Sequence, residues 1–300
     1  MRNNRGGNRG DGRGRGDRGG HPPQQEVERW VPLPKDAQCA WRNAGRTPNL
    51  ALLLSRYSRY ETSGGKPVRE QKSQKQALRS LLDRWNPDVA AAAAKAVLER
   101  RRYALRQRAR SRGEVAIELT GTTVWRAVSG MGEASVYENA ITLDELYGFP
   151  IFRGSAAKGM TRHWAEVWDD DAPNKQCVSR VFGEAPQGDR PGYMGKVEFL
   201  GGIPIPPKEG QPWVEIDIMN PHYPDWYAEG KPPADWSQPR PIFFLAIPQE
   251  RKFAFHIVGP PCCIDEAAQW HVAALKNIGI GAKTAAGYGY FCGIEETHLT

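Results

Sequence analysis

The segment Ile278 to Tyr290 reads I-G-I-G-A-K-T-A-A-G-Y-G-Y, four glycines around a single Lys–Thr pair, Lys283 and Thr284. It follows a run of helical composition and precedes a strand-like one. Glycine tolerates positive φ and close approach of another backbone at no steric cost. A Lys and a hydroxyl on such a loop suit a phosphate, of a nucleotide or of an RNA backbone. The segment fails as a nucleotide-hydrolysing P-loop. Ala282, not Gly, precedes Lys283, and the loop runs from helix to strand, the reverse of that motif. The dinucleotide fingerprint fails on the same ground of context.

The chain of 300 residues is 40% hydrophobic and 25% charged, a composition ordinary for a soluble globular protein with a sizeable core and one or two domains. It has no apolar run of the roughly 18–20 residues a bilayer requires and no signal-peptide core, so a cytoplasmic location is expected. Five cysteines, an odd number without a C-x-x-C pair, argue against a disulfide framework and a zinc knuckle; buried, inert thiols are expected, and no cofactor or metal. Charge is unevenly spread. Residues 1–113 hold 26 Lys and Arg against 10 Asp and Glu, and the remainder 15 against 24. The basic front half implies a polyanionic partner, nucleic acid being the usual one; a solvated basic surface is the plain alternative.

Residues 1–21 form an Arg/Gly-rich tail with no hydrophobic side chain after Met1, so disorder is expected. Such tracts bind single-stranded nucleic acid loosely or act as solubilising tails. Residues 22–113 read as a basic, mainly helical region, with helices near Leu50–Tyr60 and Val68–Arg84. Asn86-Pro87 is an N-cap followed by Pro at the first helical position, opening a helix to Arg112. Seven arginines between Arg100 and Arg112 exceed what complementing the helix dipole requires and form a second basic patch.

From Gly113 the pattern changes. Val115, Ile117 and Leu119 alternate as in a half-buried strand. Ser155 is placed to N-cap a helix to about Trp168, with Ala157, Met160, Trp164 and Val167 on its core face. Strands are expected at Lys196–Leu200, Trp213–Met219, Ile242–Ile247 and Phe253–Val258. Asp265 is expected to cap a helix to Asn277 that Gly279 ends, before a final strand, Tyr288–Ile294. The order over residues 114–300 is α+β, compatible with a ferredoxin-like β-α-β-β-α-β unit carrying insertions.

Within that unit, Phe149 to Arg162 reads F-P-I-F-R-G-S-A-A-K-G-M-T-R. Gly154 and Ser155 open the helix, Arg153 precedes it, and Lys158 and Arg162 lie four apart on one face. Free N–H groups and the dipole at a helix start favour an anion; a capped surface helix with ordinary basic residues is the alternative. The six histidines lack metal spacing. His163, on this helix, could serve as a general base for RNA cleavage; a structural role is the commoner one. His222 sits in a Pro-bracketed loop, and Asp169–Asp171 read as a solvated loop rather than a magnesium site. Trp125 beside Arg126, and Trp226 with Tyr227, are candidates for stacking on unpaired bases.

Two of these segments resemble a known family. F-P-I-F-R-G-S-A-A-K-G-M-T-R resembles the helix-opening motif of the RAMP superfamily of CRISPR RNA-guided effector proteins, and G-I-G-A-K-T-A-A-G-Y-G-Y-F its C-terminal glycine-rich loop. D-I-M-N-P-H-Y, P-P-A-D-W, P-I-F-F-L and S-V-Y-E-N-A resemble the sixth-subunit family of the Cmr, or type III-B, complex. Phe152 stands where the family often has Pro, and Ala156 where it often has Ser. The resemblance covers roughly residues 114–294. It implies a ferredoxin-like, RNA-recognition-type fold and a non-enzymatic subunit at one end of a backbone filament, holding the 3′-side of the guide RNA and its duplex with target RNA. Its partners would be that RNA and other Cmr subunits, especially the repeated backbone subunit and the small helical subunit. The residues expected at RNA are Arg126, Arg153, Gly154, Ser155, Lys158, Arg162, Gly279, Gly281, Lys283 and Thr284. A guide-processing endoribonuclease using His163 and Lys158, and a purely structural cap, are the rival readings.

Overall fold

The computed structural model describes residues 29–299 except 32, 44, 59, 64–65, 70–73, 169–174, 221–225, 227–228 and 233–240. The Arg/Gly tail, Asp169–Asp171, His222 and Tyr227 therefore lie outside the described residues, as does most of the P-P-A-D-W block. In chain order the elements are β1 (Arg29–Trp30), α1 (Lys35–Asn43), α2 (Leu50–Ser55), β2 (Tyr60–Ser63), β3 (Lys66–Arg69), α3 (Gln74–Leu82), α4 (Pro87–Arg112) and β4 (Val115–Thr123). They continue with α5 (Gly154–Val167), α6 (Lys175–Phe182), β5 (Gly183–Glu184), β6 (Tyr193–Met194), β7 (Glu198–Pro204), β8 (Glu215–Met219), β9 (Ile242–Ala246), β10 (Lys252–Gly259), α7 (Pro261–Asn277) and β11 (Phe291–His298). The architecture is mixed α+β.

Its centre is a four-stranded antiparallel sheet in the order β11-β4-β10-β7. Strand β10 explains the layering. Side chains alternate across a strand, so Phe253, Phe255 and Ile257 face one side and Ala254, His256 and Val258 the other. The first set joins Ile117, Leu119 and Phe291 in a core with Ala157 and Met160 of α5 and Ala267, Ala274 and Leu275 of α7. On the second side, Leu105 and Ala109 of α4 pack on Ala116 and Val258. The sheet is thus covered by helices on both faces, and neither is an open platform on which bases could stack.

Helix α4 begins as its sequence requires: the Asn86 side chain accepts from the Asp88 N–H, Pro87 occupies the first position, and Gly113 ends it at φ +63°. Its inner stripe is Ala90, Ala94, Leu98, Leu105 and Ala109. Leu98 also belongs to a core that joins Leu50, Leu53, Leu78 and Trp85 to Phe149, Trp213 and Leu245. The N-terminal region and the later chain therefore share buried contacts. Asn49 reinforces this: its oxygen caps α2 at the Leu52 N–H, while its amide donates to the carbonyls of Glu145 and Leu146.

Several expectations are corrected. The Val68–Arg84 helix is divided: Lys66–Arg69 is a strand paired with Tyr60–Ser63, and the helix begins only at Gln74. Helix α7 starts at Pro261, with Pro260 as N-cap, so Asp265 lies inside it and caps nothing. Helix α5 starts at Gly154 with Arg153 at the cap position and no side-chain cap, so Ser155 sits within the first turn. On α5 the buried residues are Ala157, Met160, Thr161 and Ala165, while Val167 is 59% exposed. Cys39, Cys262 and Cys292 are exposed rather than buried, although all five thiols are free.

Candidate nucleic-acid interface

The start of α5 is fixed by a bulge in β7. Between Phe255 and Ile257 the β10–β7 register shifts, and Gly201 there adopts φ +66°. Phe152 and Gly202 exchange backbone hydrogen bonds at 3.1 and 2.9 Å, which holds the chain entering α5 against β7. A side chain at Gly154 would strike the Phe199 carbonyl, and one at Gly201 the Phe152 carbonyl. Arg101 reaches across from α4 and donates to the carbonyls of Leu200 and Gly201, at 2.9 and 3.1 Å, satisfying the acceptors that the bulge leaves over. Gly154 is therefore required by the protein's own packing.

The glycine-rich segment follows the same logic. Gly279 at φ +73° ends α7 with its N–H on the Ala274 carbonyl. Ile280 donates to Gly289, Ala282 to Val128 and Gly289 to Arg126, each between 2.7 and 2.9 Å. A Cβ at Gly281, φ +98°, would collide with the Val128 carbonyl, and one at Gly289 with that of Ile280. These glycines admit the chain's own backbone, and the N–H groups just named are spent within the fold rather than held open as an anion cradle.

The expected cations fall into four conditions. Arg126 is locked: it pairs with Glu215 and, at 3.5 Å, with Asp217, and it lies 5.0 Å from the Trp125 ring centroid. The bond to Glu215 raises its pKa further. Asp217 also accepts from the Tyr288 hydroxyl at 2.6 Å; burial first and this bond second push that phenol up to about 12. Lys283, at φ +61°, places its amine 3.8 Å from the Met219 sulfur and 5.8 Å from both the Phe244 and Tyr288 rings. Arg153 and Arg162 are in exposed ion pairs, with Glu133 at 3.1 Å and with Glu166 at 2.7 Å. Lys158, half-buried, has no ion-pair partner among the described residues.

The arginine patch of α4 divides in the same way. Arg102 forks onto both oxygens of Glu118 at 2.7 Å, and His256 Nε2 lies 2.9 Å from the same carboxylate. Burial alone would push Glu118 up, but the bonds from His256 and Arg102 outweigh it and hold the acid at about 2. Arg108 holds Glu114 and Glu198, and Arg100 donates to the Tyr147 hydroxyl. Arg112, exposed at the helix end, has no such partner among the described residues. Four of the seven arginines that read in sequence as a basic patch, Arg100, Arg101, Arg102 and Arg108, are thus internal bracing.

Two concavities flank α5. One, of about 720 Å³, is bounded by Met160, His163 and Trp164 on the helix, by Trp168 just past its end, and by Gly279, Gly281, Thr284 and Tyr290 opposite. It unites the two glycine motifs, through an aromatic wall rather than through cations. Trp164 and Trp168 stack at 6.5 Å with planes 12° apart, their i, i+4 spacing being the sequence signal for the wall, and Trp164 also packs against the core as expected. The other, of about 680 Å³, collects Ser155 and Lys158 with Arg108, Arg112 and Lys196. The buried histidines are structural. Thr161 donates to the Ala157 carbonyl, so its contact with His271 Nδ1 at 2.6 Å has the ring donating, and burial holds that imidazole at about 3. His163 is exposed on the groove wall. Among the described residues no group of three or more His, Cys, Asp or Glu is placed to hold a metal, and no helix is long and apolar enough to cross a membrane.

Residues 102–292, more than half of the chain, match the model of the RAMP superfamily. The chain belongs to the RAMP superfamily. Within it, the chain is 32% identical over 217 residues to the CRISPR system Cmr subunit Cmr6 of Pyrococcus furiosus, an overlap of 55% of this chain and 64% of that protein. The chain thus spans a little under two thirds of that relative. A chain of the type III-B Cmr-beta cryo-EM structure, bound to cognate target RNA, overlays with a TM-score of 0.58 at 20% identity, covering 75% of this chain and 74% of the other; it supports the fold. The crystal structure of Cmr6 from Pyrococcus furiosus, 31% identical over 59% of this chain and 97% of its own, overlays only at a TM-score of 0.39.

Proposed function

We propose that this RAMP protein is a non-catalytic RNA-binding subunit of a type III-B CRISPR ribonucleoprotein acting in antiviral defence against foreign RNA. It would hold the 3′-side of the guide RNA and the guide–target duplex at the end of the backbone filament. Its partners there are the repeated backbone subunit and the small helical subunit, in the cytoplasm. Similarity to the Cmr6 subunit supports the assembly. The sheet order, fourth-first-third-second along the β-α-β-β-α-β path, supports the ferredoxin-like reading of the fold.

The observation that carries RNA binding is Lys158: a cation without an ion-pair partner among the described residues, at the opening of α5 beside Ser155 and Arg112 in a concavity. Phosphates carry no base information, so backbone contacts suit a protein that must accept any guide. Arg153 and Arg162 can join it, because exposed ion pairs are worth about 1 kcal/mol or less and exchange readily for a phosphate. Thr284 lies in the aromatic groove, where Trp164 and Tyr290 offer surfaces to unstacked bases. Gly154, Gly279 and Gly281 contribute by shaping these walls. Arg126 and Lys283 are engaged with the β8–β9 hairpin and contribute least.

The test is incubation of the purified protein with end-labelled single-stranded RNA, with and without magnesium, at two salt concentrations. A salt-sensitive shift with full-length RNA recovered is expected. Discrete shortened products that disappear in His163→Ala would instead make the protein a guide-processing ribonuclease.

A further inference from the structure

Beyond Lys158 the cationic surface continues in a direction that neither glycine motif marks. The concavity holding Lys158 and Arg112 adjoins a second one, of about 400 Å³, and Lys196 lines both. The second is formed by Gln176, Ser179 and Arg180 of α6 with Glu184 and Tyr193 of the short β5–β6 ribbon. Three carboxylates line the pair, and each already has partners. Glu114 and Glu198 hold Arg108, and Glu184 accepts from Ser179 and Tyr193. Arg112, Lys158, Lys196 and Arg180 form no ion pair among the described residues, and all but Lys158 are exposed. Two large side chains interrupt the charge: Tyr193 is 49% exposed and Met194 90% exposed.

We propose that Arg112, Lys158, Lys196 and Arg180 form one continuous track for the backbone of a single RNA strand, with Tyr193 and Met194 as surfaces for its bases. The proposal rests on the RNA-binding reading and extends it, carrying the strand from the start of α5 towards α6 and away from the glycine-rich loop. Cations that follow a backbone, interleaved with aromatic faces that accept any base, are how single strands are held without sequence preference. An acidic protein segment would use the charges but leave the Tyr193 and Met194 faces without a role.

The experiment uses the full chain and a fluorescein-labelled oligouridylate, with fluorescence anisotropy read across a salt series. Lys196→Ala with Arg180→Ala is expected to weaken binding about tenfold at low salt and to reduce the slope of log affinity against log salt by about 1.4, since each single-strand phosphate contact contributes about 0.7. Lys196→Arg is expected to keep wild-type affinity, and an unchanged thermal midpoint in every variant separates lost contact from lost fold. Wild-type affinity and slope in the double variant overturn the track while leaving RNA binding at Lys158 intact. Displacement of the RNA by polyglutamate as efficiently as by unlabelled RNA overturns it in favour of an acidic protein partner. A wild-type protein that binds no RNA at any salt overturns both the track and the reading it rests on.

Discussion

Arg126 beside the glycine-rich loop and Lys158 beside the opening of α5 are both cations, in opposite circumstances. Arg126 is bound to Glu215 and Asp217, and Lys283 is set among Met219, Phe244 and Tyr288. Lys158, Lys196, Arg180 and Arg112 line open concavities whose carboxylates are already partnered. A cation that must first leave a partner gives back that interaction before gaining a phosphate; an uncompensated one does not. Basic residues in a motif therefore do not identify an RNA contact until their internal partners are known. The difference predicts separable phenotypes: removing a locked charge damages the fold, and removing a free one damages binding.

The largest effect is expected at the most tightly locked group. Glu118→Ala leaves Arg102 and His256 facing an empty acceptor site, and breaking a buried charge pair costs about 3–5 kcal/mol. Urea unfolding should show that loss; a cost no larger than a surface mutation's would break the claim that the α4 arginines are internal bracing. Next is Gly281→Ala, expected to cost about 2–4 kcal/mol, because the new Cβ meets the Val128 carbonyl at a positive φ. If that variant kept its stability but lost RNA, the glycine would belong to the ligand and not to the fold.

Acid should weaken the fold in a defined order. His271 is held at about 3 against 6.5 for an ordinary histidine, so below pH 6.5 the unfolded chain takes up a proton that the folded chain refuses. Its contribution is intact above pH 6.5 and is lost as pH falls towards 3, amounting to about 2 kcal/mol by pH 5. His256, also lowered, chiefly by burial and against the pull of Glu118, acts in the same direction. Glu118, about 2 against 4.5, stabilises above pH 4.5 and loses that contribution only below it. Urea midpoints at pH 7, 5.5 and 4 should therefore fall at each step; a flat profile from pH 7 to 5.5 would contradict the neutral buried histidines. The smallest effect is Gly159→Ala. A Cβ there meets nothing within 4 Å on the middle of α5, so about 0.4–1 kcal/mol of stabilisation is expected in a thermal melt, with RNA affinity unchanged.

What the sequence made legible follows the range of its signals. Helix α4 was readable because Asn86, Pro87 and Gly113 are local devices, and β10 because Phe253, Phe255 and Ile257 alternate. The β2–β3 hairpin was missed because Val68 and the residues after it carry helix-compatible composition across a strand end. Helix α7 starts before Asp265 because Pro261 is tolerated at a first helical position, and Asp265 is the stronger cap only by residue type. Helix α6 was not expected at all. The site divides similarly. The two glycine motifs were visible, but Gly154 packs on Phe199 and Gly281 on Val128, residues far from them in sequence. Lys196 and Arg180 stand alone in the sequence, and only folding sets them beside Lys158.

The most direct test of the difference between locked and free cations is a side-by-side measurement of RNA affinity and thermal midpoint for Lys158→Ala and Arg126→Ala. Lys158→Ala should bind RNA several-fold more weakly at low salt with an unchanged midpoint. Arg126→Ala should bind as wild type does but melt earlier, by the order of 1–2 kcal/mol that unpaired, partly buried carboxylates cost. The reverse pattern, RNA lost with Arg126 and kept without Lys158, would contradict the account.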